Sequence, residues 1–239
     1  MSLYHLLILQ LIAHILADFM LQGQRWAEKK ASGTFTRHHL WHTFIVFATA
    51  YLFSFDPGFW KAALVIAVIH LGQDMLKSLL KLKTDRNYFF TDQLIHLVVL
   101  TAITSGYYFY FGHTLPFEVS LSVLAAIASL IICLKPANII IKNILDVFDI
   151  EAPTEPYKTT GRREEDTKGL PNAGKLIGIV ERLLAFVLIL FGQYSAVGLI
   201  IAAKSILRFR DTKQSEYVLT GTLLSFGIAI FLGLIVSRL

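Results

Sequence analysis

LLILQLIAHILAD, residues 6–18, places a histidine and an aspartate inside an otherwise apolar run. A charged aspartate at the centre of a bilayer costs at least ~3 kcal/mol on insertion scales, so His14 and Asp18 require partners and mark a candidate site. The run has the length and hydropathy of a membrane helix, and the rest of the chain agrees. Its 239 residues are 55% hydrophobic and only 16% charged, with a mean hydropathy of +0.59. That composition is outside the range of ordinary soluble domains and reads as an all-α, polytopic membrane protein. No signal peptide is expected, because the first run lacks a basic leader and a small-residue cleavage site.

Apolar stretches long enough for ~30 Å of hydrocarbon number about eight. They fall at residues 3–22, 38–55, 59–80, 90–111, 117–134, 175–192, 194–209 and 216–237, the seventh short enough to be re-entrant. Residues 137–148 have apolar positions at helical spacing with Lys142 and Asp146 interspersed, as in an interfacial helix or an extension of the fifth span. Residues 1–145 form a front bundle, 146–172 a charged, proline-containing cytoplasmic linker, and 173–239 a three-helix back module.

The net charge of +5 is concentrated in alternate connections. Arg25, Lys29, Lys30 and Arg37 follow the first span; Lys77, Lys81, Lys83 and Arg86 the third; Lys158, Arg162, Arg163 and Lys168 the fifth; Arg208, Arg210 and Lys213 the seventh. The connections FDPGF at 55–59 and HTLPFE at 113–118 are nearly free of Lys and Arg. The positive-inside rule then sets both termini outside and every basic loop in the cytoplasm. Clustered in this way, the basic residues suit anionic lipid headgroups and not nucleic acid. The aromatic run GYYFYFG at 106–112 falls at the outer interface. Cys133 is the only cysteine, which argues against a disulfide or a cysteine-based zinc site.

HILAD has counterparts. HHLWH gives His38 and His42, HLGQD gives His70 and Asp74, and DQLIH gives Asp92 and His96, each pair four residues apart on one helix face. Spans one and three descend toward the cytoplasm and four ascends, and the order of His and Asp reverses accordingly. His14, His42, His70 and His96 therefore form one layer, with Asp18, His38, Asp74 and Asp92 one turn nearer the cytoplasm. Eight nitrogen and oxygen donors in a bundle suit a divalent metal, zinc first and manganese or iron next. Asp18, Asp74 and Asp92 are candidate catalytic carboxylates, either orienting imidazoles or acting as general base. The bland alternative is that each pair is hydrogen-bonded glue between helices. His39 faces away by one residue, and His5 and His113 lie toward the outer surface; these three read as interfacial bystanders.

In the back half, NAGKLIGIVERLL places Glu181 and Arg182 inside the sixth span at the depth of Lys204 in the seventh. An ion pair from Glu181 to Lys204 is one reading, and an anion site of Lys175, Arg182 and Lys204 for a phosphate or lipid headgroup is the other. Gly174, Gly178, Gly192 and Gly198 read as close helix packing.

The combination of HILADFMLQ, HHLWH, HLGQD, DQLIH, GKLIGIVERLL and GQYSAVGLIIAAKSILRF resembles a bacterial integral membrane family catalogued as domain of unknown function 3307. The resemblance implies a bacterial inner-membrane protein, and its His and Asp pairs are loosely similar to those of membrane-bound metal-dependent hydrolases. The leading expectation is a hydrolase acting on a lipid or phosphorylated amphiphile from the cytoplasmic leaflet. A metal-ion or proton transporter, or a non-catalytic scaffold with a structural metal, is the alternative. One-sided polarity of the first four spans favours a site over a conduit.

Overall fold

The computed structural model describes residues 2–23, 36–79, 88–112, 116, 118–150, 173–208 and 215–239. Among these residues the chain is all-α, with no strand. The basic connections at Arg25–Lys30, Lys81–Arg86, Lys158–Lys168 and Arg210–Lys213, the linker beyond Ile150, and His113 lie outside the described residues.

Among the described residues, each of the eight apolar segments is helical over most of its length. Helix α1 (Leu3–Ile15) runs directly into a π-helical turn, Leu16–Leu21. Helices α2 (Arg37–Ser54), α3 (Trp60–Leu79) and α4 (Tyr88–Phe111) follow. Next come α5 (Leu121–Cys133) and α6 (Lys135–Val147). The last three are α7 (Ala173–Leu190), α8 (Tyr194–Arg208) and α9 (Ser215–Val236).

The breaks have local causes. Helix α2 stops where Phe55 takes a left-handed conformation (φ 51°). Asp56 then accepts the Gly58 N–H at 2.8 Å and the Tyr107 hydroxyl at 2.7 Å, fixing the 3-10 turn Pro57–Phe59 that leads into α3. A Cβ on Gly58 would lie 2.8 Å from that Tyr107 oxygen, so a larger residue would displace the hydroxyl from this contact. Between α5 and α6, Pro136 has no N–H to give to the preceding turn, and the helix restarts with proline in its first turn.

The chain divides into two compact units, Met1–Ile131 and Ile132–Leu239. In the first, α1 packs on α2 and α4, and α3 packs on α2 and α4, closing a ring of four helices. Small residues at the contacts, among them Ala13, Ala17, Ala50, Ala63 and Ala67, are buried and let the backbones approach closely. The polarity is inverted relative to a soluble bundle. Gln10, His14, His42, His70 and His96 are buried, whereas Trp41, Phe44, Leu64, Val68, Leu94 and Val98 are exposed. Such a surface is stable against hydrocarbon, not water.

In the second unit α9 packs on α6, α7 and α8. It comes close to α7 at Gly233, where a Cβ would lie 2.7 Å from the Ile189 side chain. Of the glycines read as packing positions, Gly174 and Gly198 face open space and Gly192 (φ 69°) follows the end of α7. Only Gly178 adjoins a side chain, Arg182, at 3.3 Å.

Four described helical stretches are each long and apolar enough to cross a membrane: Leu3–Leu21, Pro57–Leu79, Tyr88–Phe111 and Tyr217–Val236. The broken pair α5 and α6 makes a fifth when taken as one span. The protein is a helical membrane bundle.

Candidate metal centre

The ring of α1 to α4 turns His14, Asp18, His42, His70 and Asp74 inward. Their local placement follows from helical period for all but Asp18, which sits in the π-helical turn, where one wider turn re-aims side chains relative to a regular α-helix.

Three donor atoms come closest together. Nε2 of His42 and Nε2 of His70 are 3.0 Å apart, and Oδ1 of Asp18 lies 3.3 Å from the first and 3.5 Å from the second. Tetrahedral ligands about 2.0–2.1 Å from a zinc ion are separated by about 3.3 Å, so this triangle has the dimensions of one face of a zinc coordination sphere. Oδ2 of Asp74 stands 3.8 Å from His42 Nε2 and 3.9 Å from His70 Nε2, in position for a fourth ligand. His14 is set back, with Nδ1 3.9 Å from Asp18 Oδ1.

The donor chemistry fits a cation independently of the distances. Asp18 Oδ1 is buried and has no hydrogen-bond partner, although two imidazole nitrogens are nearby. A hydrogen bond between the two imidazoles commits one N–H, and that oxygen can at most share it at 3.3 Å. Two carboxylates and neutral imidazoles also bring two formal negative charges into a weakly polarisable interior, which one divalent cation balances. The His14, Asp18, His70 and the His42, His70, Asp74 sets each have their donor atoms within 4.8 Å of one another.

The remaining expected ligands are placed differently. His96 packs against His70 with ring centroids 4.3 Å apart, but its Nδ1 hydrogen-bonds the Asp92 carbonyl at 2.7 Å. A carbonyl only accepts, so Nδ1 carries the proton and Nε2 presents a lone pair; that nitrogen is buried without a partner. The Asp92 carboxylate is ion-paired with Lys77. This corrects the reading of Lys77 as a loop residue: it is in α3, three residues after Asp74, and its Nζ lies over the Tyr88 ring, 5.6 Å from the centroid. His38 is half-buried and joins neither ligand set.

His39, expected at the interface, is fully buried. The Thr36 N–H donates to its Nδ1 at 3.2 Å, so the ring caps the start of α2, and its Nε2 faces Ser78 Oγ at 3.5 Å. Sequence reasoning missed it because a histidine occupies the capping position that Glu or Gln ordinarily takes. His5 lies near the other end of α1, with its Nε2 3.2 Å from the Val119 carbonyl.

In the second unit Lys204 pairs with Glu181 and lies over the Phe226 ring. Arg182 is almost fully buried. Its guanidinium donates to the carbonyls of Cys133 (2.8 Å) and Leu134 (3.2 Å), to Asn138 Oδ1 (2.7 Å) and to Ser225 Oγ (3.0 Å). Lys175 is exposed. The three cations expected to share an anion are thus apart in role: one closes the helix break, one pairs with a carboxylate, and one faces outward.

No curated protein and no solved structure matches the chain. The family described as Protein of unknown function (DUF3307) matches residues 6–141, more than half of the chain and a span that contains His14, Asp18, His42, His70 and Asp74, and the protein belongs to that family.

Proposed function

We infer that the protein is a membrane-embedded, metal-dependent hydrolase. The reading rests on one observation above the others: three donor atoms from three helices, one of them a buried carboxylate oxygen with no hydrogen-bond partner, stand 3.0, 3.3 and 3.5 Å apart. His42, His70, Asp18 and Asp74 would hold the ion, zinc before manganese or iron given two imidazoles and two carboxylates. Such an ion supplies Lewis acidity that makes water a usable nucleophile near neutral pH. The chain's own contribution is to fix the donors on rigid helices, exclude bulk water, and orient the substrate. With eight crossings, both termini outside and the carboxylate layer toward the cytoplasm, the site opens to the inner leaflet of a bacterial plasma membrane. A lipid or phosphorylated amphiphile among anionic headgroups is the matching substrate class.

Metal analysis of purified protein tests the reading. About one equivalent of zinc, manganese or iron per chain is expected, with nearly complete loss in His42→Ala and in Asp18→Asn. Metal-free wild-type protein, or variants that keep their metal, would sink the assignment. Movement of the ion across proteoliposomes would instead make the protein a transporter.

A further inference from the structure

A second set of buried polar atoms adjoins the candidate metal centre, away from its carboxylates. Gln10 and His14 lie one turn, about 6 Å, apart along α1, and Asp18 follows in the π-helical turn. Asp18 belongs to the ion side, and Gln10 is on the other side of His14. A small cavity lined by Gln10, His14, Thr49, His70, Gln73 and His96, with Ala50 and neighbouring apolar side chains, lies there, with room for about one water molecule.

The atoms around it are specific in what they lack. The Gln10 amide donates from Nε2 to the Ala50 carbonyl at 2.9 Å, which fixes the amide's orientation and leaves Oε1 as an acceptor with no donor. His96 has its proton on Nδ1, held by the Asp92 carbonyl, so its Nε2 is a second bare acceptor. His14 Nε2 is a third buried nitrogen without a partner. Gln10 is 0%, His96 4% and His14 7% exposed, so these groups are largely screened from bulk water. Leaving two such acceptors unmet costs roughly 1–3 kcal/mol each.

We propose that this cavity binds one internal water molecule, which donates to Gln10 Oε1 and His96 Nε2 and is stored beside the metal centre for hydrolysis. A water carries two hydrogens and matches two acceptors. A second divalent cation fits the lone pairs but not the charge. Asp18 and Asp74 balance the first ion and Asp92 is paired with Lys77, so a second cation would face only neutral groups. The proposal rests on the hydrolase reading for the water's use, since hydrolysis consumes one water per turnover in a site walled by lipid-facing helices.

The test is an experimental structure of the full chain, purified with zinc, at a resolution that shows ordered water, together with zinc content. The expected result is a peak within about 2.7–3.2 Å of both Gln10 Oε1 and His96 Nε2, with no anomalous signal at the zinc edge. In Gln10→Met the peak is lost and zinc content is retained. A dry, collapsed cavity in wild-type protein, or an anomalous peak in it, overturns the proposal, as does loss of zinc in Gln10→Met. Should the water peak be present in a protein that binds no metal, the water site stands and the hydrolase reading falls.

Discussion

Asp74 and Asp92 are carboxylates one turn from a histidine, and they differ in what they face. Asp74 directs Oδ2 toward the two imidazole nitrogens, whereas Asp92 is 3% exposed on its own helix and meets the Lys77 ammonium. Replacing each by asparagine therefore separates ion binding from folding. Asp74→Asn is expected to weaken metal affinity by about 10–100-fold or more, the range seen when groups around a metal are removed. Asp92→Asn is expected to destabilise on the order of 1–3 kcal/mol, less than a fully buried pair because Lys77 keeps a fifth of its side chain at the surface, and to leave metal content unchanged. Equal metal loss in both variants would return Asp92 to the ligand set. The convergence of His14, His42 and His70 was legible because it depends only on four-residue spacing and chain direction. The diversion of Asp92 was not, since it depends on a lysine that composition assigns to a loop. Lys77 is three residues from Asp74, and that spacing was the available signal.

At the scale of the helices, two irregularities decide what the side chains do. The π-helical turn Leu16–Leu21 carries Asp18, and no residue type in LADFML announces it; one wider turn is too short to register in the hydropathy pattern. The break between α5 and α6 was half legible. Pro136 marks it, but what closes it is Arg182, from a helix 48 residues further along the sequence. Carbonyls at a helix end have no partners within the helix, and in hydrocarbon no water replaces them, so the planar guanidinium serves as their cap. Lysine has no such fork. Arg182→Lys is expected to cost on the order of 3 kcal/mol, read as a lowered melting temperature in detergent, and Asn138→Ala a smaller amount, about 1–2 kcal/mol. If Arg182→Lys were neutral, the bonds to Cys133 and Leu134 would not be what holds the break. Packing of α7 on α9 gives a separate outcome: Gly233→Ala drives a methyl into Ile189 and is expected to cost about 1–3 kcal/mol, whereas Gly198→Ala, with open space at its Cβ, is expected to be neutral or stabilising.

For the whole molecule, the inverted polarity of the first unit shows why the number of crossings is harder to read than the fold class. Helices α2 and α7 fall short of the apolar composition of a span for different reasons: α2 carries the buried His39 and His42, and α7 carries three charged residues, Lys175, Glu181 and the buried Arg182. At 18 residues each is nevertheless about 27 Å long, close to the hydrocarbon thickness of ~30 Å. Polar residues that lower the hydropathy of a helix are tolerated in lipid when they face the bundle, so composition undercounts the spans that line a site. If α2, α7 and α8 also cross, the total is the proposed eight, an even number, with the basic connections on the cytoplasmic side. Cysteine accessibility measures this directly. Cys133 is fully buried, so a Cys133→Ala background leaves the introduced residue as the reporter. Lys61→Cys at the start of α3 and Ser237→Cys beyond α9 are expected to react with a membrane-impermeant maleimide on intact cells, and Thr159→Cys only after the membrane is opened. Labelling of Lys61→Cys and Ser237→Cys from opposite sides would make the number of crossings between them odd and remove one of the short helices from the membrane. Labelling of Thr159→Cys on intact cells, with Lys61→Cys protected, would invert the orientation and turn the carboxylate layer of the metal centre toward the outer leaflet, where a substrate from the cytoplasmic side could not reach it.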